Sequence, residues 1–223
     1  MNRSALAAVT VFALAFSANA AFADPIPYHD YFNGITTTEL NTAPPGWVSD
    51  NGTVDWVARG NTYGITCYHN SKGCVDLDGS TDKAGLFETA GKFKLTAGTT
   101  YELSAEVSGN QRGAVADTLE FGFLKGTTNF LLDATKTVAG IASGSPFTLY
   151  TLFYTPTTSQ TVRAFFYDVG GNNDIGPILD QVNIATVKAV PLPAAAWLML
   201  SGLGALGAFA RRRITGDSRR LAA

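Results

Sequence analysis

The sequence is short of the parts from which many catalytic sites are built. Its 223 residues hold two histidines, His29 and His69, and no Gly-x-Ser-x-Gly elbow, His-Glu-x-x-His pair or glycine-rich phosphate loop. Positive charge is equally scarce. Between Asp24 and Val187 there are nine Lys and Arg against seventeen Asp and Glu, a net charge near −8. Phosphate backbones call for the opposite excess, so no nucleic acid is expected as a partner. The same stretch lacks internal repeats and any helix-period segment of convincing length.

What it has instead is strand signal. Tyr101, Leu103, Ala105 and Val107 alternate with Glu102, Ser104 and Glu106, as in a strand with one buried and one wet face, and Leu119, Phe121 and Phe123 repeat the pattern. Apolar and aromatic runs at 54–57, 74–77, 85–89, 130–132, 147–154, 162–169 and 178–187 are separated by Gly, Asn, Asp, Ser and Thr clusters. About ten short strands in one domain predict an all-β fold, an antiparallel β-sandwich of jelly-roll type. The run Gly170-Gly171-Asn172-Asn173-Asp174 reads as a turn between two of them. Cys67 and Cys74 are the only cysteines, and in an exported chain their favoured state is a disulfide closing a small loop, worth roughly 2–3 kcal/mol on the loop-entropy estimate.

Both ends read as targeting segments. Residues 1–23 have Arg3, an apolar run from Ala5 to Phe16 and small residues around Ala18-Asn19-Ala20 and Ala21-Phe22-Ala23, the parts of a secretory signal peptide. At the other end Val190-Pro191-Leu192-Pro193-Ala194 leads into an uncharged run, 194–210, followed by Arg211-Arg212-Arg213. That run is just long enough for a transmembrane helix, and the arginines hold its far end in the cytoplasm. Pro191 and Pro193 prevent an earlier helix start. The expected organisation is a signal peptide at 1–23, a β-sandwich at 24–187 and a C-terminal sorting segment at 188–223.

The order Val-Pro-Leu-Pro-Ala, a short apolar helix with a Ser-Gly-Leu-Gly core and the arginine cluster closely resemble the VPLPA variant of the PEP-CTERM sorting signal. That resemblance implies recognition by an exosortase-type membrane protease. The chain would be exported, held transiently in the inner membrane through its helix, and passed to the cell surface or extracellular matrix. An ordinary single-span anchor is the generic alternative.

The body carries a second resemblance. Phe32-Asn33-Gly34, Pro45-Gly46-Trp47, Val75-Asp76-Leu77-Asp78-Gly79, Gly98-Thr99-Thr100-Tyr101-Glu102-Leu103 and Gly176-Pro177-Ile178-Leu179-Asp180-Gln181-Val182 follow one another as in galactose-binding-like jelly-roll modules, which include carbohydrate-binding modules. Trp47, Trp56, Tyr63 and Tyr68 crowd the first third of the body beside Asn- and Asp-rich loops, and they are the candidate sugar-stacking residues. For Trp47 and Trp56 a core role is the competing reading.

In the last strand, period two puts Asp180 on one face with Ile178, Val182 and Ile184. A bulge, backbone N–H donors or a metal could each accommodate that charge. The resemblance implies structural Ca2+, held by Asp180 with Asn33 and with Asp76 or Asp78. The function expected from all this is non-catalytic binding of carbohydrate or exopolysaccharide. The alternatives are a matrix structural protein without a small ligand, or a glycan hydrolase drawing two carboxylates from Glu88, Glu102, Glu106 and Glu120.

Overall fold

The computed structural model describes residue 26 and residues 28–61, 63–113, 115–125 and 129–187, with backbone alone at 129–133. The signal peptide, the proline motif Val190 to Ala194, the helix at 194–210 and Arg211, Arg212 and Arg213 lie outside the described residues. Among those described, no helix is long and apolar enough to cross a membrane. The chain divides into two units, Met1–Thr186 and Val187–Ala223, and the strands belong to the first.

Among the described residues twelve strands run in order: β1 (Tyr28–Asp30), β2 (Trp47–Asp50), β3 (Asp55–Ala58), β4 (Gly73–Asp76), β5 (Leu86–Thr89), β6 (Phe93–Leu95), β7 (Tyr101–Ser108), β8 (Asp117–Lys125), β9 (Asn129–Ile141), β10 (Thr148–Tyr154), β11 (Gln160–Asp168) and β12 (Ile178–Thr186). One sheet has the order β10-β7-β12-β4-β3, with β1 also on β12; the other has the order β2-β5-β11-β8-β9, with β6 also on β11. Every strand pairing is antiparallel. Two antiparallel sheets face each other as a sandwich, consistent with a jelly roll. The strands beyond the sequence expectation, β1, β2 and β6, are three- or four-residue pieces on sheet edges, too short to show a period.

Alternation decides what is buried. Leu103, Ala105 and Val107 of β7 and Leu119, Phe121 and Phe123 of β8 enter the inter-sheet core, as their spacing predicts. Trp47 lies in that core, stacked on Phe87 at 4.4 Å between ring centroids and 9° between planes. Its indole N–H donates to Asp30 Oδ2 at 2.8 Å, so the ring's one polar atom is satisfied in place. Trp56 is also buried, its N–H donating to the Phe32 carbonyl at 3.1 Å.

The last strand departs from simple period two. Its register shifts between Asp180 and Asn183, and Gln181 has φ 48°. One extra residue reverses the facing of everything beyond it. Leu179, Val182 and Ile184 therefore point into the inter-sheet core, whereas Ile178 joins a small outer cluster with Val57, Ile65, Cys67 and Cys74. This corrects the expected shared face: Asp180 goes with Ile178, not with Val182 and Ile184.

Candidate functional site

The connection between β3 and β4, residues 59–72, is braced at several points. Cys67 and Cys74 are joined in a disulfide that ties the loop to β4. Tyr68–Asn70 form a single 3-10 turn whose His69 and Asn70 sit in the left-handed region, at φ 45° and 56°. Asp180, buried beneath, holds that turn. Its Oδ2 accepts from the Tyr68 backbone N–H at 3.0 Å and the Ser71 hydroxyl at 2.6 Å, and its Oδ1 accepts from the Gln181 N–H at 2.8 Å. Burial pushes the Asp180 carboxyl up to about 6, against the lowering effect of those donors. Gln111 clamps the loop from the side: Thr66 N–H donates to its Oε1 at 2.8 Å, and its Nε2 donates to the Thr66 carbonyl at 2.9 Å.

These contacts fix one wall of a cleft of about 570 Å³ lined by Tyr68, His69, Phe147, Gln111, Ser108 and Pro146, among others. Tyr68 stacks on His69 with centroids 3.9 Å apart and 19° between planes, and meets Phe147 edge-on at 5.4 Å and 62°. Local desolvation, then the carboxylate of Glu106, holds the Tyr68 phenol above the ordinary tyrosine range, so it stays a neutral hydroxyl. The cleft opens beside the outer face of the first sheet. There Leu149 and Phe153 on β10 stand 57% and 61% exposed, opposite Glu106 and Glu102 on β7. Aromatic faces next to amide, hydroxyl and carboxylate groups are what a sugar needs, since its rings have an apolar side and a rim of hydroxyls.

Of the four candidate aromatics, the structure brings Tyr68 into this cleft and leaves Tyr63, 42% exposed, on the other flank of the same loop. Trp47 and Trp56, 4% and 7% exposed, are core residues and offer no ring to a ligand. Phe147 and Gln111 were not legible as site residues. Each lies far along the chain from Tyr68, in a segment without a local motif, and only strand pairing brings it close.

Three members of the expected calcium ligand set, Asp180, Asn33 and Asp76, have protein partners. Asp180 is committed to Tyr68, Ser71 and Gln181, and Asn33 Oδ1 accepts from the Lys72 N–H at 2.6 Å. Asp76 is ion-paired with Arg112, while its Oδ1 accepts from the N–H groups of Asp78 and Gly176 at 3.2 and 2.9 Å. Their oxygens go to three separate sets of protein donors. Among the described residues no group of three or more His, Cys, Asp or Glu side chains is placed to hold a metal ion. A bulge together with backbone and hydroxyl donors accounts for Asp180.

The carboxylates open to a hydrolase are also accounted for in part. Glu88 is buried and ion-paired with Arg163. Glu102 and Glu106 lie four residues apart on one strand, with Cα atoms about 13 Å apart at roughly 3.3 Å per residue.

Near the ends of β4, β8 and β11, Asp78, a member of the expected calcium set, lies with Asp117 and Asp168, which no motif marks; all three are buried. Asp78 Oδ2 accepts from the Asn173 N–H at 3.0 Å, pinning the 170–177 turn, and its Oδ1 is a buried atom without a hydrogen-bond partner. Burial, then the carboxylates of Asp117 and Asp78, pushes Asp168 up to about 7.

Comparison with known proteins bears on both parts of the chain. Residues 189–213 match the family described as the PEP-CTERM protein-sorting motif. No curated protein matches the sequence. Among solved structures, the arabinose-bound MgGH51 α-L-arabinofuranosidase is similar with a TM-score of 0.51 and 14% identity, over 70% of this chain and 25% of the enzyme. The chain thus spans about a quarter of that enzyme's length. The CBM22-1-GH10 modules of Clostridium thermocellum xylanase 10B, complexed with xylohexaose, give a TM-score of 0.45 and 17% identity over 74% of this chain and 29% of theirs. The CBM22-1 xylan-binding domain of Paenibacillus barcinonensis Xyn10C gives 0.41 and 15% over 73% and 95%. The chain is an exported protein that carries the PEP-CTERM sorting motif at residues 189–213 behind an all-β sandwich.

Proposed function

We propose that this is a non-catalytic glycan-binding protein of the cell surface or extracellular matrix, processed by an exosortase-type membrane protease. The polysaccharide is bound in the cleft at Tyr68. The observation that carries this reading is the aromatic wall of Tyr68, His69 and Phe147, set beside Gln111 and Ser108 on a loop already fixed by a disulfide, by Asp180 and by the Gln111 clamp. Rigidity matters because every group ordered before binding is one the ligand need not order. A non-catalytic role is supported by Glu88, buried and ion-paired with Arg163, and by Asp180, whose oxygens are buried and committed to Tyr68, Ser71 and Gln181.

The test is a glycan array probed with the mature exported protein, followed by titration of the strongest hit against wild type and Tyr68→Ala. The variant is expected to bind at least about tenfold more weakly, a loss of about 1.4 kcal/mol, with an unchanged melting temperature. Equal affinity in the two proteins, or release of reducing ends from the bound polysaccharide, counts against the reading.

A further inference from the structure

The β3–β4 loop has a second flank. On the side away from Phe147, a pocket of about 270 Å³ is lined by Thr36, Thr37, Thr38, Arg59 and Tyr63 together with the loop backbone at Gly60. Asn61 builds it and is used up in doing so. Its Nδ2 donates to the carbonyls of Ala58 and Ile65 at 2.9 and 2.8 Å, and its Oδ1 accepts from the N–H groups of Tyr63 and Ile65 at 2.9 and 3.3 Å. The Tyr63 backbone is thereby held in place, and the residue is 42% exposed. Thr38 Oγ1 accepts from the Ala58 N–H at 3.0 Å, which leaves its hydroxyl proton to donate, and Thr36 and Thr37 are exposed.

Among the described residues of this lining Arg59 is the only charged one. One of its guanidinium N–H groups reaches the Asn70 carbonyl at 3.3 Å, out of the five the group carries. Among the described residues the ion pairs are Arg112 with Asp76 and Arg163 with Glu88, so Arg59 has no carboxylate at pairing distance. Lys72 stands across the same hairpin, its carbonyl accepting from the Arg59 N–H at 2.9 Å. In a body with a net charge near −8, an unpaired guanidinium beside three hydroxyls and an open aromatic ring is selective. We infer that this pocket is a second glycan site, specific for a sugar residue bearing a carboxylate. The ring's apolar face lies on Tyr63, the threonine hydroxyls meet the sugar hydroxyls, and Arg59 takes the carboxylate through two parallel N–H bonds. The volume lies just below the roughly 300 Å³ at which drug-sized sites begin, so the occupant is a single acidic residue within a polymer. The site stands on its own residues and does not require the Tyr68 cleft to bind glycan.

The experiment compares a free-acid oligogalacturonide with its methyl ester, and both with sulfate alone, by calorimetric titration and backbone amide shifts of the mature protein. The free acid is expected to move the amides of Thr37, Gly60 and Tyr63. Esterification should weaken binding at least about tenfold, Arg59→Gln should do the same, and Arg59→Lys should recover part of the loss. Affinity should fall as salt is raised. The inference is overturned if the free acid does not bind, if its ester or sulfate binds as tightly, or if the shifts map to Tyr68 and Phe147. Loss of uronide binding in Tyr68→Ala but not in Arg59→Gln would move the ligand to the first cleft. That result removes the second site and leaves the reading of the first intact. Arg59→Gln gives up one exposed hydrogen bond, so its melting temperature should match wild type and a loss of binding cannot be laid to unfolding.

Discussion

Asp168 offers a sharp test of the buried acid group, because one amide substitution removes its charge and little else. In the native protein its carboxyl is pushed up to about 7 from the ordinary 3.8. Between those two values the folded chain holds a proton that the unfolded chain releases, so stability falls as pH rises through that window and levels off above about 7. Were the site dry, the gap would correspond to about 4 kcal/mol at roughly 1.4 kcal/mol per pH unit. Halving this for the screening that rim water supplies leaves about 2 kcal/mol. Asp168→Asn keeps the shape and an acceptor for the Thr118 N–H, stays neutral, and brings an N–H donor close to Asp78 and Asp117. At pH 8 it should therefore be more stable than wild type by about 2 kcal/mol, or roughly 4–8 °C in melting temperature. At pH 3, below both values, where folded and unfolded wild type are each protonated at this position, the two should melt together. Scanning calorimetry of both proteins at pH 3, 5.5 and 8 decides it. Melting curves that stay parallel across the range would refute the argument, as would a less stable variant at pH 8.

Three other outcomes are expected. Cys67→Ser should lower stability by about 2–3 kcal/mol, visible as a lower urea midpoint, and should weaken glycan binding only as far as the Tyr68 turn loosens. Excess chelator should leave the melting temperature of the mature protein unchanged, since the oxygens of Asp180, Asn33 and Asp76 are committed to protein donors; a fall of several degrees would restore a metal. Deleting 190–223 should release the protein in soluble form, whereas deleting only Val190 to Ala194 should leave it in the membrane fraction, both read by fractionation and immunoblot.

The sandwich was legible wherever a strand is long and buried on one side. β7 and β8 alternate over eight and nine residues, and their apolar positions are the ones that enter the core. The pieces at Tyr28–Asp30 and Phe93–Leu95 were not legible, because three residues cannot display a period and both owe their strand form to a long neighbour, β12 or β11. Trp47 shows a different limit. A core role for Trp47 is open from the sequence, but the partners that fix it there, Phe87 stacking on the ring and Asp30 taking its N–H, are not near it in sequence.

Asp180 shows most clearly where sequence reading stops. Period two is a rule about unbroken strands, and it placed this charge among Val182 and Ile184 because nothing in Asp-Gln-Val announces a bulge; Gln181 is not the glycine or asparagine that usually marks a positive φ. The unusual conformation has a cause in the structure. With Gln181 turned, the core receives Leu179, Val182 and Ile184, and Asp180 is directed instead to the outer side, where three donors meet it. Two of those donors come from the turn that carries Tyr68. The bulge thus serves packing on one side of the sheet and the binding loop on the other. Without it, burying Asp180 in the inter-sheet core would leave a charge unpaired and the Tyr68 N–H and Ser71 hydroxyl without their acceptor, at about 1–3 kcal/mol for each unsatisfied group. The charge that looked misplaced in the sequence is the anchor of the candidate site.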